Sequence, residues 1–211
     1  IPSSYESIRK VLTRKLERFD LVVVPGFFGY SENFKNIYTF SRGGSDITGS
    51  ILAAAMDVEL YENWTDVDAV YAMSPKINPK AHPIKELTYM EMRELAYAGF
   101  SVFHEEALEP LMGRDIPLRI RNTNNPAARG TDILAKRTDY ENIVTGIAGS
   151  GGFVAIRIAR YLMNRKIGFV QKILEVFGRY NVPLEHLPTG LDCITVLVRA
   201  SVFPPEKRDP V

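Results

Sequence analysis

Thr39-Phe40-Ser41-Arg42-Gly43-Gly44-Ser45-Asp46-Ile47-Thr48-Gly49-Ser50 leads directly into the apolar run Ile51-Leu52-Ala53-Ala54-Ala55-Met56. A cation, adjacent glycines, a hydroxyl and a carboxylate therefore stand just ahead of a helix-forming stretch. A turn of this kind feeds a helix N-terminus, where free backbone N–H groups and the positive dipole end favour an anion. Arg42 can fork onto a carboxylate or phosphate, Gly43 and Gly44 let backbone approach closely, and Asp46 can receive an ammonium or cap the helix. Both signs of charge in one place suit a zwitterionic ligand such as an amino acid. Taken alone, the stretch favours the plainer reading of a glycine turn with an ordinary Ser/Asp N-cap.

Working outward, residues 7–19 read as a charged amphipathic helix and 21–24 as a buried strand stopped by Pro25-Gly26. Residues 47–56 read as a helix and 58–64 as a strand. Thr88-Tyr89-Met90-Glu91 has the form of a capping box opening a helix that Gly99 can close. A further helix is expected at 104–112 and a strand at 118–121. Strands alternating with helices predict a layered α/β domain with a largely parallel sheet. Asn124-Asn125-Pro126-Ala127-Ala128-Arg129-Gly130, rich in turn formers, is the expected hinge. Beyond it, 143–148 and 153–162 read as strands and 169–180 as a helix. Residues 182–187 and 193–198 read as a pair of strands around Thr189-Gly190. The first 150 residues are slightly acidic and the remainder slightly basic, which fits separate modules.

The bulk composition narrows the function. With 211 residues, 45% hydrophobic and 24% charged, the chain can bury a proper core. A net charge of +1 points to neither nucleic acid nor an anionic membrane. No apolar run is long enough to span a bilayer, and the single cysteine, Cys193, sits in an apolar run as a small core residue. A reducing cytoplasm is the expected compartment. Gly146-Ile147-Ala148-Gly149-Ser150-Gly151-Gly152 lacks the GK[ST] of a P-loop and the G-x-G-x-x-G spacing. His82, His104 and His186 are isolated, so no protein metal site is expected, and His104-Glu105-Glu106 reads as solvated helix.

The segment Asn63-Trp64-Thr65-Asp66-Val67-Asp68-Ala69-Val70-Tyr71, together with the glycine turn, resembles the aspartokinase signature. The resemblance continues in order through Leu87-Thr88-Tyr89, Glu94-Leu95-Ala96-Tyr97-Ala98-Gly99 and Val102-Phe103-His104. It extends to Ile116-Pro117-Leu118-Arg119-Ile120-Arg121-Asn122-Thr123, Asn125-Pro126 and Gly130-Thr131. It implies a partial three-layer α/β/α amino-acid kinase-like domain over residues 1–135. After it, Met163-Asn164-Arg165-Lys166-Ile167-Gly168-Phe169-Val170, the helix from Gln171 and Asn181-Val182-Pro183-Leu184-Glu185 resemble an ACT regulatory domain of ferredoxin-like α+β fold. That domain is expected, in part, over 136–200, with a tail at 201–211.

What the resemblance implies is an ATP-dependent, Mg²⁺-assisted phosphoryl transfer to the side-chain carboxylate of L-aspartate. Arg42, Gly43, Gly44, Ser45 and Asp46 would hold aspartate, with Arg42 and Asp46 the catalytic pair. Thr65, Asp66, Tyr71 and Lys76 would contact the nucleotide. Met163, Gly168, Phe169, Val170, Leu184 and Glu185 would hold an amino-acid effector, lysine or threonine, at a homodimer interface between ACT domains. The chain departs from the family in three places. Ser74-Pro75-Lys76 replaces an Asp-Pro-Arg motif, Ser101 replaces a lysine, and nothing before Phe27 resembles the Lys-Phe-Gly-Gly-Thr-Ser phosphate loop. A fragment of a longer enzyme, inactive alone, is the expectation; the alternative is a non-catalytic effector-binding or oligomerisation subunit.

Overall fold

The computed structural model describes residues 2–31, 33, 35–40, 42–100, 102–138, 140 and 142–205. Ser101 and the end of the expected tail, 206–211, lie outside the described residues. The chain divides into two compact units, Ile1–Gly149 and Ser150–Val211.

In the first unit, helix α1 (Pro2–Leu16) and helix α2 (Gly44–Met56) pack together. Arg9 Nε donates to the Ala55 carbonyl at 2.7 Å, meeting one of the carbonyls that the end of α2 leaves without an intrahelical partner. Strands β1 (Phe28–Tyr30) and β2 (Ile37–Thr39) form a short antiparallel ribbon ahead of α2. The main sheet holds β3 (Tyr61–Thr65), β4 (Glu86–Thr88), β5 (Leu118–Asn122) and β6 (Thr131–Leu134) in the order β3-β5-β6-β4. β3 runs parallel to β5 and β4 parallel to β6, but the central β5–β6 pair is antiparallel. The sheet is therefore mixed: two of its three pairings are parallel, in line with the expected largely parallel sheet, and the central one is not.

The cause lies in residues 123–130. The turn formers expected to make a hinge close the β5–β6 hairpin instead. Gly130 has φ +81°, and a Cβ there would collide with the Ile120 carbonyl oxygen, so the tight connection requires glycine. On β5 alternate residues turn inward: Leu118 and Ile120 are fully buried and meet Ile133 of β6. Arg119 and Arg121 face the other way, Arg119 pairing with Asp132 and Arg121 with Glu62.

Helix α3 (Tyr89–Tyr97) starts at the capping box, with Thr88 Oγ1 accepting from Glu91 N–H and Glu91 reaching back to Thr88 N–H. The helix expected at 104–112 is broken into a 3₁₀ turn at Glu105–Leu108 and a short α4 (Glu109–Met112). Pro110 has no N–H to continue one ladder through both. The strand expected at 21–24 does not form. Leu21 and Val23 are 79% and 84% exposed, since no strand among the described residues runs beside them. Residues 143–148 likewise run without a ladder, held by Ile147 N–H on the Ala72 carbonyl at 2.7 Å.

In the second unit, β7 (Phe153–Ala159) and β8 (Cys193–Arg199) pair antiparallel, and α5 (Phe169–Arg179) supplies Phe177 to a core with Val182, Val196, Val198 and Phe203. The strand expected at 182–187 reduces to a single bridge between His186 and Leu197. Pro183 and Pro188 flank it and cannot donate to a ladder. Among the described residues no helix is long and apolar enough to cross a membrane.

Candidate active site

Gly43 is the N-cap of α2, in the left-handed region at φ 62°, with no side-chain cap bond. The ordinary Ser/Asp cap is therefore absent, and Asp46, in the first turn, is directed elsewhere. Its Oδ1 accepts from Asn63 Nδ2 at 3.0 Å, and its Oδ2 accepts from the His104 backbone N–H at 3.3 Å. A carboxylate held by donors on both oxygens is oriented yet keeps lone pairs for a further donor. Strand alternation explains the first contact: Tyr61, Asn63 and Thr65 share the face of β3 whose neighbours on β5 are Leu118 and Ile120.

Tyr61 brings strand and helix close. Its hydroxyl stands where a Cβ on Gly49 would lie, and it accepts from Asn63 Nδ2 at 3.3 Å. Burial pushes the Tyr61 pKa up, and the Asp46 charge adds to that; the Asn63 hydrogen bond opposes it without reversing the sign.

His104 was expected to be solvated helix. It instead precedes the 3₁₀ turn, half-buried, with Nδ1 buried and without a hydrogen-bond partner among the described residues. A Cβ on Gly43 would run into its ring, which is why the turn takes glycine there. Gly44 is buried, and a Cβ on it would lie 2.8 Å from Phe27 Cδ2. Phe27 itself sits at φ 81°, a strained value for a bulky residue, with its N–H on Thr48 Oγ1 at 3.1 Å. Arg42 and Ser45 are exposed on the turn.

Thr65 ends β3 and donates to Asp66 Oδ1 at 3.4 Å. Asp66 and Lys76 are exposed and Tyr71 is half-buried, bridging to Pro83. Asn63 thus joins the α2 turn to the strand whose C-terminal end carries Thr65 and Asp66. The loop beyond is pinned by Asn122 and Asn125, whose side-chain amides donate to Asp68 Oδ1 at 2.7 and 3.1 Å. Tyr61, Asn63 and His104 escaped sequence reasoning as contributors to this cluster. The one signal available was that Asn63 and His104 flank or end segments already singled out for other reasons.

In the second unit the expected effector residues fall into two groups. Met163 is buried in a 3₁₀ turn, and Gly168, at φ 73°, precedes the first turn of α5 with Phe169 and Val170. Leu184 and Glu185 follow the other end of α5. Glu185 Oε1 pairs with Arg199 Nε at 3.2 Å, and Arg199 lies over the Phe153 ring.

Residues 3–122 match the model of the amino acid kinase family. The chain belongs to that family. Within it the similarity is to aspartokinases. Aspartokinase 3 of Bacillus subtilis is 50% identical over 199 residues, covering 94% of this chain and 43% of that protein. Chloroplastic aspartokinase 1 of Arabidopsis thaliana is 32% identical over 168 residues, covering 80% of this chain and 30% of that protein. The crystal structure of Clostridium acetobutylicum aspartate kinase matches with a TM-score of 0.83 and 39% identity over 96% of this chain and 47% of that one. Escherichia coli aspartokinase III in complex with aspartate and ADP matches with a TM-score of 0.73 and 26% identity, over 89% and 41% of the two chains. The chain thus spans less than half the length of these relatives.

Proposed function

We propose that the chain is part of an aspartate kinase: the C-terminal part of the kinase domain (1–135), part of an ACT regulatory domain (136–200) and a tail (201–211). The observation that carries this reading is the Asp46 carboxylate, oriented by Asn63 and His104 in a helix-start turn beside Arg42. Arg42 binds a carboxylate of aspartate, N–H groups at Gly43 and Gly44 assist, Ser45 adds a hydroxyl, and Asp46 takes the ammonium. The side-chain carboxylate of aspartate, ionised near neutral pH, then attacks the γ-phosphorus of ATP, giving ADP and 4-phospho-L-aspartate. No side-chain base is needed, so this chain's work is positioning and charge compensation.

Thr65, Asp66, Tyr71 and Lys76 fit a nucleotide, since a hydroxyl, a carboxylate, a half-buried ring and an exposed cation follow one strand end in sequence. For Mg²⁺ the fit is partial: no group of three His, Cys, Asp or Glu among the described residues could hold it. Nucleotide phosphates would supply most of its ligands, with Asp66 the one carboxylate among the four proposed nucleotide residues, and the ion would neutralise charge on the transferred phosphoryl group. The exposed apolar stretch around Leu21 and Val23 supports a chain that works as part of a longer one; its proposed compartment is the cytoplasm. The hairpin packed by α5 supports the ACT reading, with lysine or threonine as effector across a homodimer.

The test is steady-state kinetics in the full-length protein. Asp46→Ala should raise the aspartate KM or lower kcat/KM for aspartate by about tenfold to a hundredfold, the cost of a lost charge-assisted contact, with ATP dependence little changed. Asn63→Ala should move the same parameter less. Unchanged aspartate dependence in Asp46→Ala would overturn the assignment.

A further inference from the structure

A second cluster in the first unit surrounds a cavity of about 320 Å³, lined by His82, Pro83, Lys85, Glu86, Arg137 and Thr145 among others. It shares no lining residue with the turn at Arg42–Asp46. Its size is at the lower end for small-ligand sites. Arg137 is the group that defines it, with only 9% of its side chain exposed. One guanidinium nitrogen, Nη1, donates to Glu91 Oε1 at 3.0 Å and to Thr145 Oγ1 at 2.7 Å. The guanidinium also lies 4.9 Å from the centre of the Tyr140 ring. Its Nε is buried and has no acceptor among the described residues.

A buried charged donor without an acceptor is costly, so such a group calls for a partner. Glu91 does not supply it, because its Oε1 is engaged by Arg137 Nη1 and Thr145, and its Oε2 by the N–H and hydroxyl of Thr88. Glu86, the carboxylate on the cavity wall, is engaged by the Thr138 N–H at 2.7 Å and by the Thr138 hydroxyl. Arg137 is thus held in place from one side, by Glu91, while its Nε edge is left for another oxyanion. Lys85 and His82 stand on the same wall and add positive or donor character.

We propose that this cavity is a binding site for a small oxyanion, the carboxylate or phosphate of a molecule of about amino-acid size, gripped by the Nε edge of Arg137 with Lys85 and His82 at the rim. The ligand would hold Arg137 and Thr145 against Glu91 at the start of α3. Occupancy is therefore stabilising.

The test uses the 211-residue chain with malonate and inorganic phosphate as separate probes, against chloride at matched ionic strength. Either probe should raise the melting temperature above the chloride control and shift the Arg137 Nε–H resonance, saturably. The probe with the stronger effect assigns carboxylate or phosphate chemistry. Arg137→Lys keeps the charge for Glu91 but loses the fork, and should weaken the probe by about tenfold. Because that variant can also loosen the fold, Lys85→Gln and His82→Gln serve as rim variants that leave the Glu91 network intact, and each should weaken the probe. A rise no larger than that with chloride, an Arg137 signal that does not move, or equal affinity in all variants would overturn the proposal. Because Arg42 can also take a carboxylate or phosphate, the Arg137 resonance and the Arg137, Lys85 and His82 variants, and not the melt alone, separate this outcome from that of the kinase assignment.

Discussion

At the scale of single residues, the buried hydroxyl of Thr131 shows how one side chain closes several accounts. It accepts from Val70 N–H at 2.9 Å and donates to the Ile84 carbonyl at 2.7 Å, joining the loop after β3, the entry to β4 and the start of β6. Thr131→Val keeps the shape and strands both backbone groups, each costing about 1–3 kcal/mol when buried without a partner. Urea denaturation should therefore show a clear loss of stability, with Thr131→Ser retaining most of it; a valine variant as stable as the parent would refute the account. Sequence reading noticed Thr131 only as part of a motif. The same limit applies to the candidate site. Arg42 to Asp46 stood out because unusual residue types are contiguous, whereas Asn63 and His104 reach Asp46 from 17 and 58 positions away. Such contacts arise from strand register and loop packing, which a residue list does not carry.

At the scale of elements, local chemistry was legible where it was self-contained. The capping box at Thr88 formed as read, and α2, α3 and α5 stand close to their expected ranges, because caps and periodicity are properties of a short stretch. Strands failed where they needed a neighbour, as at 21–24 and 143–148, and turn formers at 124–130 could not by themselves distinguish a hinge from a hairpin. The capping box also makes a pH prediction. Burial raises the Glu91 pKa, but the Thr88 N–H, the Thr145 and Thr88 hydroxyls and the Arg137 charge together outweigh it, leaving the carboxyl below its ordinary 4.5. A depressed carboxylate contributes stability above its unfolded pKa and loses it as pH falls through the folded value. Stability should thus decline on acidification below about 4.5, and Glu91→Gln should be less stable at neutral pH with a shallower acid decline. Urea melts of both proteins across that range decide it; parallel pH profiles would mean that Glu91 carries no such linkage.

At the scale of the whole molecule, the second unit poses a question of reach. An eleven-residue helix is about 16 Å long, and α5 separates Gly168, Phe169 and Val170 at its start from Leu184 and Glu185 beyond its end. The segment before α5 is bonded beside the start of β8 (Asn164 N–H on the Leu191 carbonyl) and Glu185 beside its end (Glu185 N–H on the Leu197 carbonyl). One amino acid is therefore too short to touch both groups within a single chain. Glu185 is moreover already paired with Arg199, so an effector ammonium would have to share or displace that partner. If these residues form one effector site, a second copy must bring its α5 start beside the first copy's Glu185, which couples effector binding to association. Lysine should then raise the melting temperature and the dimer fraction together, at concentrations where the chain alone is partly monomeric. Glu185→Gln should abolish both effects while leaving the unliganded melt close to that of the parent, because the exchange keeps an acceptor for Arg199. Analytical ultracentrifugation with and without lysine, alongside thermal melts, reads both quantities. A rise in melting temperature with no change in dimer fraction would separate binding from association and rule out the shared site. The same result with threonine in place of lysine would keep the shared site and reassign its ligand, since Glu185 would then face a hydroxyl-bearing side chain rather than a second ammonium.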